Sequence, residues 1–257
     1  RLVHAHYTYS ALLTLFARPK IPILLSHLGS DIQYSPGRLF RYQLISFFNI
    51  FVSLIIHPFI DHIICKSSKM NKNIILQSKS AIIPNGVDFS KFKPINKDKA
   101  RKKLKLSTEK KVILFFSNPS SSVKNFKLAK QAVSKLNDPN VIFLHPYPID
   151  NELVKYYLSS ADVLIVTSHS EGSPNIVKEA LACNCPVVST DVGDVSELVN
   201  KIEGCYISNS NPEDFATHIK KSFNNGKSFR SRQMINHLSN HLISHKIFNI
   251  YEKIIND

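Results

Sequence analysis

The run from Ala161 to Thr190 constrains the fold of this 257-residue chain more than any other stretch. Ala161-Asp-Val-Leu-Ile-Val-Thr167 is apolar and bounded by polar residues, which predicts a strand buried on both faces, as in a parallel sheet. A loop with Glu171 and Gly172 follows, and then Ser173-Pro174-Asn175, where a helix is expected to begin. Ser173 suits the cap, and Pro174 suits the first helical position because its missing N–H would be unpaired there in any case. The helix is expected to run to about Cys183, and Pro186-Val-Val-Ser-Thr190 reads as the next strand. Strand, loop, helix and strand make one βαβ unit. Its loop lies at the carboxyl edge of the sheet, where ligands of open α/β sheets bind.

Two carboxylates frame that loop and helix, Glu171 and Glu179. At about 1.5 Å per residue, Glu179 sits roughly 9 Å along the axis from a cap at Ser173. Between the two carboxylates, first-turn N–H groups and the positive end of the helix dipole suit a phosphate. An elongated molecule with hydroxyls at both ends and a diphosphate in the middle fits that arrangement; a nucleotide-sugar has that shape. Taken alone, the pair also fits a loop Glu at a helix start plus a solvated mid-helix Glu.

The setting E-G-S-P-N-I-V-K-E-A-L-A-C-N-C-P-V-V-S-T closely resembles the E-x7-E motif of retaining family-4 glycosyltransferases (glycosyl transferases group 1) of the GT-B fold. Further segments are similar to the same family. Leu2-Val-His-Ala-His6-Tyr resembles its D-x-V-H-x-H segment. His27-Leu28-Gly29-Ser-Asp31 resembles its T-x-H-G-x-D turn, with Leu28 in the usual His position and His27 one place early. Ala81-Ile-Ile-Pro84-Asn85-Gly86-Val-Asp88, followed by Phe92 and Pro94, resembles the interdomain segment. His241 to Ile255 resembles the closing helix. In the second domain, Lys124 matches a lysine that relatives place on the diphosphate, while Asn118 stands where an arginine is expected. Ile149 falls on the nucleobase side.

The resemblance implies an α/β chain of GT-B architecture, with two Rossmann-like domains facing a cleft and the first incomplete. Residues 1–93 are expected to form a partial acceptor-side domain, 94–238 the donor-binding domain, and 239–257 a helix crossing back to the first. The implied roles follow. Glu179 holds ribose hydroxyls and Glu171 sugar hydroxyls. Lys124 and the amides at Gly172, Ser173 and Asn175, beside Pro174, stabilise the departing diphosphate. His6 orients the sugar from the opposite domain. No D-x-D motif occurs, so no metal is expected and the co-substrate is a UDP- or GDP-linked sugar. The acceptor is expected to be a saccharide or a lipid-linked one, in surface-glycan assembly on the cytoplasmic side. A glycosidase using the two carboxylates, a nucleotide-sugar epimerase and a nucleotide-sugar-binding scaffold are the alternatives.

Other features bound these readings. The chain opens on Arg-Leu-Val-His without Met, and a fragment lacking about 80–100 residues is expected. Cys65, Cys183, Cys185 and Cys205 lack zinc-site spacing and read as reduced thiols of a cytosolic protein. The net charge is +14, and residues 1–93 hold eleven Lys/Arg against three Asp/Glu. An anionic membrane or a phosphorylated acceptor suits that excess better than nucleic acid, for which no motif is present. Tyr42 to Ile60 is the most apolar region, too short and too interrupted to span a bilayer. It reads as a helix covering the sheet, or as an interfacial helix with Arg38 and Arg41 at its mouth. Lys97 to Lys111 reads as a solvated helix and linker. His237, His241 and His245 fall at four-residue intervals, expected on one helix, with no carboxylate cluster to make a metal site.

Overall fold

The computed structural model describes residues 1–17, 20–34, 40–224 and 230–256; the side chains of 40–42 fall outside that description. The chain builds two parallel sheets. The first is formed by β1 (Val3–His6), α1 (Thr8–Phe16), β2 (Ile23–Ser26), α2 (Phe40–Ile56), a 3-10 turn (His57–Phe59), β3 (His62–Cys65), α3 (Ser68–Asn71) and β4 (Ser80–Ile82). Its strands lie in chain order, with His4 opposite Leu24 and Ser26 opposite Ile64. All four residues of β2 are buried, as a strand covered on both faces requires.

The second sheet follows α4 (Lys97–Lys103). It comprises β5 (Lys111–Leu114), a 3-10 turn (Ser122–Lys124), α5 (Phe126–Ser134), β6 (Val141–Leu144), α6 (Val154–Ser160), β7 (Val163–Val166), α7 (Asn175–Ala182), β8 (Val187–Ser189), α8 (Val195–Val199), β9 (Tyr206–Ile207) and α9 (Pro212–Asn224). The strand order is β6-β5-β7-β8-β9. From β5 the chain steps outward to β6, then returns past β5 to β7. The loops leaving β5 and β7 therefore part company at their carboxyl ends, which makes this the topological switch point where open α/β sheets bind ligands. α10 (Ser231–Met234) and α11 (Asn240–Asn256) close the chain.

The two sheets share a core. Leu24 and Ile64 of the first sheet belong to the same buried cluster as Leu164, Val177 and Leu181 of the second, with Ile243 of α11. Tyr251 of α11 reaches β1, its hydroxyl 2.6 Å from Nδ1 of His4. The α/β class with two parallel sheets is as the sequence reads.

Three expectations need refining. Lys97–Lys111 is a helix and a largely exposed connection, as expected, but Arg101 on α4 is buried, pairing with Asp162 at 2.8 Å and donating to the Ser160 carbonyl at 3.1 Å. A buried guanidinium needs partners on several sides, and the strand edge supplies them. His237 lies in a separate 3-10 turn (Asn236–Leu238), so the three histidines do not share a helix. The chain breaks helix there because Val87 bridges Ser239, its N–H donating to the Leu238 carbonyl at 2.9 Å. The apolar region does form α2, but with its polar residues inward: Ser46, Asn49 and Ser53 are buried while Phe47, Phe48 and Phe51 are exposed. Arg38 and the Arg41 side chain lie outside the described residues. Among the described residues, no helix is long and apolar enough to cross a membrane.

Candidate active site

The loops that diverge at the switch point carry the chemistry. After β5 the chain turns at Asn118, whose side-chain oxygen accepts from Ser120 N at 2.9 Å. It then makes a 3-10 turn ending at Lys124. Asn125 follows in the left-handed conformation, φ 49°, and caps α5 by accepting from Leu128 N. Asn tolerates that conformation better than most residues, so it both sets the turn and starts the helix.

The loop after β7 is zipped to this one. Thr167 Oγ1 donates to the carbonyls of Lys124 and Asn125, and His169 N donates to Val123 O at 2.8 Å. The zipper brings Lys124 Nζ to 2.6 Å from Glu171 Oε1, which also accepts from Ser168 Oγ at 2.8 Å. Two residues expected on adjacent parts of a ligand, Lys124 on the diphosphate and Glu171 on the sugar, thus touch. Both are partly exposed, so the pair is open to exchange with a solute.

Helix α7 starts one residue later than expected. Pro174 is the N-cap, Asn175 is the first helical residue, and Ser173 makes no cap bond. The Ser173 hydroxyl is already engaged: it donates to Asp194 Oδ2 at 2.7 Å and accepts from Lys178 Nζ at 2.7 Å and Asn85 N at 3.1 Å. Glu179 therefore stands about 7.5 Å along the axis from the cap, not 9 Å. Gly172 and Ser173 are buried beneath the helix start, and first-turn N–H groups point out of it. Burial pushes the Glu179 carboxyl up to about 6, against the pull of Lys91 and Lys178.

Sequence reasoning missed Lys178. It is 0% exposed, bonded to Ser173 and paired with Asp194 at 2.8 Å. Burial draws its ammonium below the ordinary lysine range even beside that carboxylate. The signal was present: Lys178 falls four residues after Pro174 and three before Leu181, on the face that must be buried, where a lysine needs a partner.

The first sheet meets this site through its own loops. Gly172 packs so closely on the Leu28 carbonyl that a Cβ there would overlap it. A Cβ on Gly193, φ 54°, would lie 2.5 Å from the Gly172 oxygen. Asn85 of the connecting segment donates through Nδ2 to Ser173 O and Asn175 Oδ1, both at 3.0 Å. His27 is buried, with Nδ1 2.8 Å from Asp31 and Nε2 3.0 Å from His57, so it serves the interior of the first sheet. His6 ends β1 exposed, its ring 4.2 Å from that of His4. Neither His6 nor Ile149, on the loop after β6, bonds to the Lys124–Glu171 pair.

Residues 110–225, which hold β5 to β9, match the family described as glycosyl transferases group 1. Lys124, Glu171 and Glu179 all lie within the matched residues. The chain is similar to the putative teichuronic acid biosynthesis glycosyltransferase TuaC of Bacillus subtilis, 25% identical over 244 residues, covering 86% of this chain and 60% of that protein. A D-inositol 3-phosphate glycosyltransferase of Geodermatophilus obscurus is 25% identical over 179 residues, 55% of this chain and 40% of its own. The chain thus spans about half the length of these relatives. In fold it matches Anabaena HepE solved with UDP (TM-score 0.79, 18% identity, 98% of this chain and 78% of that one). It also matches sucrose-phosphate synthase of Thermosynechococcus elongatus (TM-score 0.77, 19% identity, 99% and 74%). The two-sheet fold is that of the GT-B glycosyltransferases.

Proposed function

We propose that this chain belongs to a glycosyltransferase that moves a sugar from a UDP- or GDP-linked donor to a saccharide or lipid-linked acceptor. Retention of anomeric configuration, with no metal, is part of the proposal, as is a place in cell-surface polysaccharide or glycolipid synthesis. The observation that carries it is the Lys124–Glu171 pair at the switch point, one turn from the α7 N-terminus, within the residues matched to glycosyl transferases group 1. TuaC and the D-inositol 3-phosphate enzyme, both named as glycosyltransferases, and HepE, solved with UDP, support the same reading.

A donor diphosphate lies over the start of α7, neutralised by Lys124 and the amides from Gly172 to Asn175. Glu171 exchanges its bond to Lys124 for the sugar hydroxyls, and Glu179 receives the ribose hydroxyls. An acceptor hydroxyl attacks the anomeric carbon from the face the diphosphate leaves. The bond from that carbon to the diphosphate oxygen breaks, and the hydroxyl proton passes to the departing diphosphate. His6 lines the sugar from the first sheet, and Ile149 packs against the base. Asn118 supplies no charge where relatives of this pattern carry an arginine, so Lys124 bears most of the neutralisation.

The test is release of nucleoside diphosphate from a panel of nucleotide-sugars with mixed saccharide and lipid-linked acceptors. Acceptor-dependent release, cut about a hundredfold or more in Lys124→Ala, supports transfer. Binding with no release supports a donor-binding scaffold instead. Release indifferent to Lys124 overturns the site.

A further inference from the structure

A cavity of about 700 Å³ lies where three parts of the chain meet. Lys66, the residue after β3, comes from the first sheet. Glu197 and Lys201 come from α8 and the chain just beyond it, and His237 and Lys246 from the closing 3-10 turn and α11. A volume of this size accommodates a small molecule. Lys124, Glu171 and Glu179 do not line the cavity, which separates it from the proposed donor site.

Lys66 is the residue that points to a ligand. It is 7% exposed, whereas a lysine normally keeps its ammonium in water. Among the described residues, nothing accepts a hydrogen bond from its side chain and no carboxylate pairs with it. Burial draws the ammonium below the ordinary lysine range, and the neighbouring Lys178 ammonium draws it further. Lys178 shows what such a position demands: it is also buried, and it has Asp194 at 2.8 Å. A buried ammonium without a counter-charge destabilises the fold, and an anion entering the cavity relieves that.

The carboxylates around the cavity do not fill this role. Asp194 Oδ2 is held by Lys178 at 2.8 Å and by Ser173 at 2.7 Å. Glu197 Oε1 accepts from Ser68 N at 3.3 Å. The exposed Lys201 and Lys246 also make no ion pair among the described residues. Three lysine charges from three separate elements thus border one space, with Glu197 alone left to oppose them. Several ammonium donors around an open space suit a phosphate, whose oxygens accept from more than one side at once.

We propose that this cavity binds a phosphate-bearing small molecule through Lys66, Lys201 and Lys246, and that the bound anion fastens the first sheet to α8 and α11. This stands apart from the glycosyl-transfer reading, and its test uses no nucleotide.

The test is thermal unfolding and calorimetric titration with glucose 6-phosphate, inorganic phosphate and glucose, each against potassium chloride of matched ionic strength. Saturable stabilisation beyond that of chloride is expected from at least one of the two phosphates, and none from glucose. Preference between the two identifies the occupant as a phosphorylated sugar or as free phosphate. Lys66→Met is expected to abolish binding, yet to melt no lower than the unmodified chain without ligand, because it removes an unpaired buried charge. Lys201→Ser/Lys246→Ser, at exposed positions, is expected to bind at least about tenfold more weakly with unchanged circular dichroism. Lys124→Ala is expected to bind phosphate as the unmodified chain does. The proposal is overturned by no saturable binding, by stabilisation that chloride reproduces, or by stabilisation from glucose alone. Binding that is lost in Lys124→Ala but kept in Lys66→Met also overturns it, since the anion would then sit at the start of α7.

Discussion

At the scale of residues, the site costs stability. Glu179 is held in a partly buried place that lifts its carboxyl to about 6, so the folded chain binds its proton more tightly than the unfolded chain does. The sign follows: stability falls as pH rises from the ordinary carboxylate value through 6, because the folded state must then bury a charge. Glu179→Gln is expected to raise unfolding stability by about 1–2 kcal/mol at pH 7.5 and to leave it unchanged near pH 4, read from urea midpoints at the two pH values. Lys178 works the other way. With its ammonium removed, Asp194 is left buried beside an already unpartnered Oδ1, so Lys178→Met is expected to lose about 3–5 kcal/mol. Adding Asp194→Leu to that variant is expected to restore more than half the loss, and a double-mutant cycle measures the coupling. If Lys178→Met costs nothing, the buried pair is not what holds Ser173 and the start of α7.

At the scale of elements, glycine sets how closely the two sheets approach. Gly172 admits the Leu28 carbonyl, and Gly193 in turn admits Gly172, so three loops from two sheets meet with no side chain between them. Gly172→Ala is expected to push the β2 and β7 loops apart. Faster proteolysis in the connecting segment 83–94 and a lower melting temperature are the readouts. Much of this level was legible in the sequence. The β7–α7–β8 unit follows from an apolar run, a loop and a helix start, and those signals are local. The start of α7 was misplaced by one residue because Ser173 is engaged by Lys178, Asp194 and Asn85, none of which cap statistics can see. The contact between Lys124 and Glu171 depends on strand order, since β5 and β7 are neighbours only after β6 has been placed outside them. Nor does apolar content say which way a helix faces; the inward polar stripe of α2 is decided by Thr8, Tyr9 and Asp31 from other elements.

At the scale of the whole molecule, two parallel sheets share one core, and α11 ties the end of the chain to β1 through Tyr251 and His4. The donor-binding parts of the proposed site come from the second sheet, and the loop after β2 of the first packs against it at Gly172. The central claim is that a nucleotide-sugar lies across α7 between Glu171 and Glu179. Thermal unfolding of the chain with UDP, GDP and their common sugar conjugates, repeated on Glu179→Ala, tests it most directly. One nucleotide class at a hundred times its dissociation constant is expected to add about 2.7 kcal/mol of stability, and the variant is expected to lose that gain. Equal stabilisation of chain and variant, or none from any nucleotide, would contradict the account.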